Sequence, residues 1–128
     1  MRKRIGLLAA AGALALVGAT APTAAADGHG QGYYGVWASN VNVREVYPDA
    51  CWDHPSTTNC PSVLGQVSAP TEVFVRCQFP GQTIGGNPYW VVVEVPGWTH
   101  YGVMPSYYID NASNWIDGVP TDCVWAGG

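Results

Sequence analysis

The sequence predicts an all-β fold, a small barrel or sandwich, and three observations lead to that prediction. Apolar residues recur at every second position in several short segments, which is the period of a half-buried strand. The connections between these segments are rich in glycine and proline, of which the chain has 16 and 10. Beyond residue 26, no segment has the period of a long amphipathic helix. Short strands joined by such turns are typical of small barrels and sandwiches.

Residues 1–26 have the features of an export signal. Basic residues at positions 2–4 precede an apolar run over 5–17, and three alanines end at Ala26, where a signal peptidase needs small residues. The apolar run is shorter than the about 20 residues that a membrane-spanning helix needs. We therefore expect cleavage after Ala26, or one or two residues earlier. The product is then a secreted protein, extracellular or associated with the cell wall, without a membrane anchor.

Removal of this signal leaves 102 residues, which suit one domain with a modest core. The remaining chain keeps Arg44 and Arg76 against nine acidic side chains, a net charge of −7. Nucleic acids are bound by clustered basic residues, which this sequence does not offer. We therefore expect no nucleic-acid partner and no binding of anionic polymers through charge attraction. We also expect the protein to be a monomer.

All four cysteines lie in the exported part, where oxidising conditions favour disulfides over free thiols. Three pairings are possible. Cys51 with Cys60 is the local choice and closes the loop between them, and Cys77 with Cys123 then ties the tail to the middle of the chain. We predict this pairing, so that the fold is braced by disulfides.

The N-terminal part of the mature chain is predicted to begin with a flexible arm. Residues 27–35 are rich in glycine and polar side chains and show neither a helical nor a strand period. A strand follows at Val41–Arg44, where valines alternate with polar residues. Turn-forming residues then predict a long loop over 47–61.

The clearest strand of the chain covers residues 72–79, because its side chains alternate in character over its whole length. One predicted face carries Val73, Val75, Cys77 and Phe79, and the other carries Glu72, Phe74, Arg76 and Gln78.

Further short elements are predicted in the second half of the chain. Residues 89–95 form a second strand rich in β-branched and aromatic residues, and Pro96-Gly97 forms the turn after it. A short strand over 101–104 precedes a single helical turn over 105–108.

Four blocks of the sequence, in order, resemble the blocks of a known family. They are Val41-Asn42-Val43-Arg44, residues 63–67 followed by 72–75, Trp90 three residues before Val93, and residues 102–109. The family is the bacterial Src-homology-3-type (SH3b) domain, a secreted or wall-associated β-barrel. The resemblance implies an SH3-like barrel over residues 36–110 and an accessory binding role, commonly on cell-wall peptide or glycan.

The chain departs from the family pattern at three places. Val103 stands where the family usually has Trp, and the loop after Arg44 is enlarged and holds two cysteines. Residues 111–128 form a C-terminal extension past the usual end, which the predicted pairing of Cys123 ties back. These departures affect the inference of a ligand from the family more than they affect the inference of the fold.

Six Trp and seven Tyr against two Phe are the main oddity of the composition. Trp and Tyr combine an apolar face with a polar handle, which suits the recognition of peptides or sugars. Strand alternation places Trp90 opposite Val91 and Val93, so Trp90 is the first choice for an exposed binding face. The alternative is that several of these rings complete a small core or cover the disulfides. The candidate ligand-binding residues are Trp90, Tyr101, Tyr108, Tyr107, Trp98, Tyr89 and Trp52.

The sequence does not predict a catalytic site. His54 and His100 are the histidines outside the arm, and no nucleophile motif accompanies them. The aspartates are scattered, without the spacing of a calcium loop or of a glycosidase acid and base. We therefore expect a protein that is not an enzyme and has no cofactor.

A metal site depends on where the signal is cut. Cleavage after Ala26 gives an amino terminus Asp27-Gly28-His29, and a histidine at the third position can bind Cu(II) or Ni(II) with the free amine and two backbone amides. The alternative is an incidental His29 in the arm.

Three functional hypotheses follow from these observations. The first is a secreted, non-catalytic module that binds cell-wall peptide, glycan or another extracellular polymer in an aromatic groove around Trp90, Tyr101 and Tyr108. The second is a secreted inhibitor or effector that presents the rigid Cys51–Cys60 loop to another protein. The third is extracellular copper binding through residues 27–29.

Overall fold

A computed structural model describes residues 28–123 of the protein. The predicted export signal, its cut site and Asp27 lie outside the described residues, as do residues 124–128. Six strands and two short helical segments make up the fold. The strands are β1 Gly32–Gly35, β2 Val41–Arg44, β3 Val63–Val67, β4 Glu72–Ile84, β5 Asn87–Glu94 and β6 Gly102–Pro105; helix α1 covers Asp49–Asp53 and a 3-10 helix covers Ser106–Tyr108.

The strands form one antiparallel sheet in the order β1-β4-β5-β6-β2-β3, which confirms the predicted β architecture. The sheet curls into a half-barrel. An isolated bridge between Val36 and Ile109 joins the segment after β1 to the residue after the 3-10 helix. In the part of the chain that is described, no helix has both the length and the apolar character needed to cross a bilayer.

The hairpin between β4 and β5 is the longest strand pair of the sheet. Its turn consists of Gly85 and Gly86, both with positive φ (59° and 83°), which is the conformation of a tight two-residue turn whose twist matches the strands. Gly85 also lies against the ring of Tyr107, so a Cβ there would be only 2.4 Å from ring carbons. The glycines therefore set both the turn and the position of the 3-10 helix.

Strand β1 corrects the prediction of an arm without regular structure, which is wrong for Gly32–Gly35. These residues pair with the start of β4, with Tyr34 opposite Val73. Tyr34 points into the core and its hydroxyl donates to the carbonyl of Gly30 at 2.7 Å. One buried ring thus anchors a strand that is too short and too rich in glycine to show a period.

The core is divided between the two faces of the sheet. One cluster contains the apolar side chains Tyr34, Val36, Val41, Val43, Val67, Val73, Val75, Val91, Val93, Val95, Met104, Ile109, Ile116 and Val119. The other contains Val46, Cys51, Cys60, Cys77, Trp90, Val92 and Val103. Strand alternation does place Trp90 and Val91 on opposite faces, as predicted. Both faces of β5 are nevertheless buried, because the loop around α1 covers the Trp90 side.

The structure pairs Cys51 with Cys60 and Cys77 with Cys123, the pairing that the sequence predicts. The first bridge closes the loop that carries α1. The second joins β4 to residues 111–123, which contain no strand or helix. Covalent links of this kind restrict the unfolded chain, more strongly for the longer sequence separation of 46 than for that of 9.

A bulge in β4 changes the predicted faces of that strand. The pairing with β5 shifts register between Val75 and Cys77, so these two residues face different halves of the core. Gln78, predicted to share a face with Glu72, Phe74 and Arg76, is 0% exposed. Its amide NH₂ donates to the carbonyls of Ile116 (2.6 Å) and Val119 (2.9 Å), and its side-chain oxygen accepts from the Ile116 N–H (2.9 Å).

Replacement of Gln78 by Ala is expected to lower the free energy of unfolding by about 3 kcal/mol, because it leaves buried backbone groups of the extension without partners. Urea denaturation of the oxidised protein measures this. Gln66→Ala is the matched control: Gln66 is exposed and makes one surface bond to Asn42, so it should change stability by less than about 0.5 kcal/mol. Equal effects of the two substitutions would contradict the assigned role of Gln78.

Candidate functional site

The structure places the seven predicted ligand-binding residues in separate parts of the molecule. Trp90 is a core residue with 0% exposure, so its predicted role as an exposed binding face is corrected. Its indole N–H donates to the carbonyl of Gln82 at 2.8 Å, and its ring packs against Gly81. A buried ring has no face left to stack on a ligand. The physical reason is the disulfide-closed loop, which covers this side of β5.

Tyr107 and Tyr108 lie together with Trp37, which the sequence did not single out. The 3-10 helix presents the two tyrosine rings 5.1 Å apart, and the ring centroid of Trp37 is 5.2 Å from that of Tyr107. The indole N–H of Trp37 donates to the Tyr107 carbonyl at 2.8 Å. All three side chains are half-buried, so the cluster both supports the barrel and borders its surface.

Beside this cluster lies an open cleft of about 170 Å³, here called the Tyr108 cleft. Its lining includes Asn40, Asn42, Arg44, Thr57, Pro105 and Tyr108. The half-buried ring of Tyr108 therefore shares the cleft with amide, hydroxyl and guanidinium groups, while Pro105 is buried beneath it. Arg44 is held by a bond from its guanidinium to the Cys60 carbonyl at 3.1 Å, which links this wall to the disulfide loop. Trp90 lies beneath the cleft without reaching solvent.

Asn40 gives the Tyr108 cleft an unusual backbone. Among residues 28–123 it is the only non-glycine residue with positive φ, at 57°. Asparagine tolerates this left-handed conformation better than most residues, because its short polar side chain bonds locally. The Asn40 N–H donates to the Ser68 hydroxyl at 2.8 Å, which fixes the turn. Residues held in such conformations cluster at binding sites, where they preset the geometry.

A second cleft, of about 400 Å³, lies at the other end of the sheet and is here called the Tyr33 cleft. Its lining includes Tyr33, Glu94, Trp98, Thr99, His100 and Tyr101. Two predicted residues, Trp98 and Tyr101, thus share a site with Tyr33, which is 62% exposed. The sequence indicates the exposure of Tyr33 only through the adjacent pair Tyr33-Tyr34. In a strand, neighbouring side chains point to opposite faces, so that burial of Tyr34 leaves Tyr33 exposed.

The loop that forms one wall of the Tyr33 cleft is rigid for local reasons. Pro96-Gly97 makes the predicted turn, with Gly97 at φ 86° and the Trp98 N–H donating to the Val95 carbonyl at 3.0 Å. Trp98 then packs over Gly65, where a Cβ would lie 2.7 Å from the indole ring. The ring position is therefore set by close packing, not by the loop alone.

A row of rings and one ion pair crosses the strands at this end of the sheet. Tyr33 is paired with Phe74 and stacks on it edge to face at 5.2 Å, and Phe74 is in turn opposite Glu94 on β5. Arg76 bonds Glu94 at 2.6 Å and its guanidinium carbon lies 5.9 Å from the centre of the Phe74 ring. The cation is thus held between a carboxylate and an aromatic face.

Tyr101 ends this row and bonds Tyr47 through their two hydroxyls at 2.7 Å. The pKa of Tyr101 is raised to about 12, first by burial and then by the hydrogen bond and the charge of Tyr47, while the charge of Arg76 lowers it. Tyr47 itself is 58% exposed. The pair presents a fixed hydroxyl group at the surface.

The two other predicted residues lie elsewhere. Tyr89 stacks on Trp115 of the C-terminal extension at 5.3 Å, and Trp52 of α1 packs on Phe79 at 5.9 Å. Trp115 was not predicted and is exposed. The aromatic residues are therefore distributed over several parts of the surface and do not form the single groove that the sequence predicted.

Histidines and acidic residues do not assemble into a metal site within residues 28–123, where no group of three or more such ligands occurs. His54 and His100 are exposed. His29 lies 3.2 Å from the carboxylate of Asp117, and the Gly28 N–H donates to the Asn111 side chain at 2.6 Å. Two of the nitrogens of the copper hypothesis are thus engaged with the C-terminal extension, while Asp27 lies outside the described residues.

Comparison of the chain with protein-family models, with curated proteins and with solved structures finds no match. The assignment of function therefore depends on the two clefts and on the residues that build them.

The raised pKa of Tyr101 makes a testable prediction. A neutral hydroxyl is favoured in the fold, so the contribution of Tyr101 to stability is complete below the ordinary pKa of 10 and is lost as the pH rises through about 12. Carbon NMR of the tyrosine ring carbon that bears the hydroxyl should show Tyr101 titrating late.

Tyr47→Phe removes the hydrogen bond and is expected to bring the Tyr101 pKa closer to 10, whereas Tyr89→Phe, at a distant site, should leave it where it is. If the pKa of Tyr101 is the same in Tyr47→Phe as in the native protein, the two hydroxyls are not coupled.

Proposed function

We propose that this chain is a secreted, non-catalytic binding module of the SH3-like type. It holds an extended peptide segment of an extracellular polymer, such as cell-wall peptide, in the Tyr108 cleft. The observation that carries the proposal is the presence, in one open cleft, of the Tyr108 ring and of side-chain amides, one of them on a preset backbone. The 3-10 helix at residues 106–108, within the block that resembles the SH3b closing motif, supports the same interpretation.

The chemistry of the Tyr108 cleft suits an extended peptide. Such a peptide exposes alternating N–H and C=O groups, which the amides of Asn40 and Asn42 can accept from and donate to. Tyr108 offers apolar surface to its side chains, and Arg44 supplies a positive charge for a peptide carboxylate. Because Arg44 is one of two arginines left against nine acidic residues, the attraction is local and does not extend to anionic polymers in general.

The disulfide-closed loop keeps the inhibitor hypothesis as a second candidate. The loop is braced from outside by Gln82, whose side chain accepts from the Thr57 N–H at 3.0 Å and whose N–H donates to the Pro55 carbonyl at 2.8 Å. Asp53 and His54 stay exposed on this rigid support. Preorganisation of this kind lowers the ordering cost of binding another protein. Thr57 also lines the Tyr108 cleft, so the two hypotheses differ in which residues of the region a partner needs.

The test is titration of the oxidised protein with soluble peptides released from purified cell-wall sacculi, followed by amide NMR. We expect shifts at Asn40, Asn42 and Tyr108, and an affinity about three- to tenfold lower for Tyr108→Ala, because one aromatic contact is lost. Asn40→Gly keeps the left-handed backbone but removes the amide, so a loss of affinity in this variant assigns a role to the side chain itself.

Tyr89→Ala is the matched control, since Tyr89 is a half-buried tyrosine on another surface, against Trp115. Circular dichroism verifies that each variant is folded. Peptide binding that is unchanged by Tyr108→Ala and Asn40→Gly, or no binding at all by the native protein, would contradict the proposal. Binding of a protein partner that is lost in His54→Ala alone would favour the loop.

A further inference from the structure

The Tyr33 cleft has features that the proposed peptide site does not need. It is more than twice as large as the Tyr108 cleft, about 400 Å³ against 170 Å³, and lies on different strands. Tyr33 forms one wall and the loop with Trp98 forms the other. Tyr33 is 62% exposed at this cleft, and the half-buried rings of Trp98 and Tyr101 line it as well. An exposed ring beside further rings in an open cleft is a candidate binding surface.

The charges at this cleft exclude two classes of ligand. Among the described residues that line it, Glu94 is the one carboxylate, and Arg76 already neutralises it through a contact of 2.6 Å. A cationic ligand would therefore have to compete with Arg76 for the Glu94 carboxylate. An anionic ligand would approach a chain of net charge −4, and of −7 over the residues that follow the predicted signal. The complementary ligand is neutral.

The polar groups at the cleft then indicate what kind of neutral ligand fits. The Arg76–Glu94 pair offers donors and acceptors, with the Glu94 side chain 48% exposed and that of Arg76 19% exposed. Thr99 and His100 are exposed at the rim, and the bonded hydroxyls of Tyr47 and Tyr101 lie at the end of the row. A sugar ring matches this arrangement, because it has an apolar face for the aromatic rings and hydroxyls around its edge.

We propose that the Tyr33 cleft is a binding site for a neutral glycan chain, with a pyranose ring stacked on Tyr33 and Trp98 and its hydroxyls bonded to Glu94 and Arg76. The site is separate from the Tyr108 cleft, and the two proposals stand or fall independently. A chain with both sites would bind the peptide and the sugar parts of one polymer at the same time, so that the two contacts reinforce each other.

The experiment titrates the oxidised protein with soluble oligosaccharides of β-1,4-linked N-acetylglucosamine and of β-1,4-linked glucose. The NMR signal of the Trp98 indole N–H is the readout. We expect this signal to shift with at least one neutral chain, with an affinity that is the same in low and high salt. Tyr33→Ala should weaken binding about three- to tenfold, and Tyr33→Phe, which keeps the ring, should retain it.

Two controls separate this site from the others. Trp115→Ala removes an exposed ring on another surface and should leave sugar binding unchanged, as should Tyr108→Ala. The inference is overturned if no neutral oligosaccharide shifts Trp98, or if Tyr33→Ala binds as tightly as the native protein. A preference for the de-acetylated, cationic chain that disappears in salt would overturn it as well, because the ligand would then be a cation.

Discussion

Gln78 makes the contacts on which the rest of this small structure depends. Two consecutive residues of β4 that follow the bulge are buried because both faces of the sheet are covered there, Cys77 on one face and Gln78 on the other. Cys77 bonds Cys123, and the Gln78 side chain bonds the backbone of Ile116 and Val119. A segment without regular structure has to satisfy its buried backbone groups from outside, and here one amide side chain does so.

The extension held in this way in turn holds the N-terminal edge of the sheet. The Gly30 N–H donates to the Asp117 carbonyl at 2.7 Å, and the Gly28 N–H donates to the side chain of Asn111. These contacts place β1, and with it Tyr33, at the wall of the larger cleft. The disulfide loop acts similarly on the other face, since it buries Trp90 and contributes Thr57 to the smaller cleft. Segments outside the strands thus contribute to both clefts, whose remaining walls come from the strands themselves.

The sequence predicted what depends on local chemistry. Strand β2, the turn at Pro96-Gly97, the helical turn before Ile109 and the pairing of the cysteines agree with the structure. Trp90 follows the alternative that the aromatic residues complete the core and cover the disulfides. Alternation alone could not decide this, because it assigns a face to a residue but does not say what covers that face. The bulge also leaves no mark in the pattern, so simple alternation placed Gln78 on the face opposite Val73 and Val75 and gave no sign of its burial. The row from Tyr33 to Tyr101 depends on strand order, which a single sequence does not contain.

Hydrogen exchange of individual backbone amides tests most directly whether the extension is an integral part of the core. The Ile116 N–H donates to the side chain of Gln78, and the Gln78 N–H donates to the Pro120 carbonyl. If these bonds hold the fold together, both amides should exchange as slowly as those in the middle of β5, that is, through global unfolding. Fast exchange at Ile116 while β5 stays protected would show that the extension opens on its own, and would contradict the account.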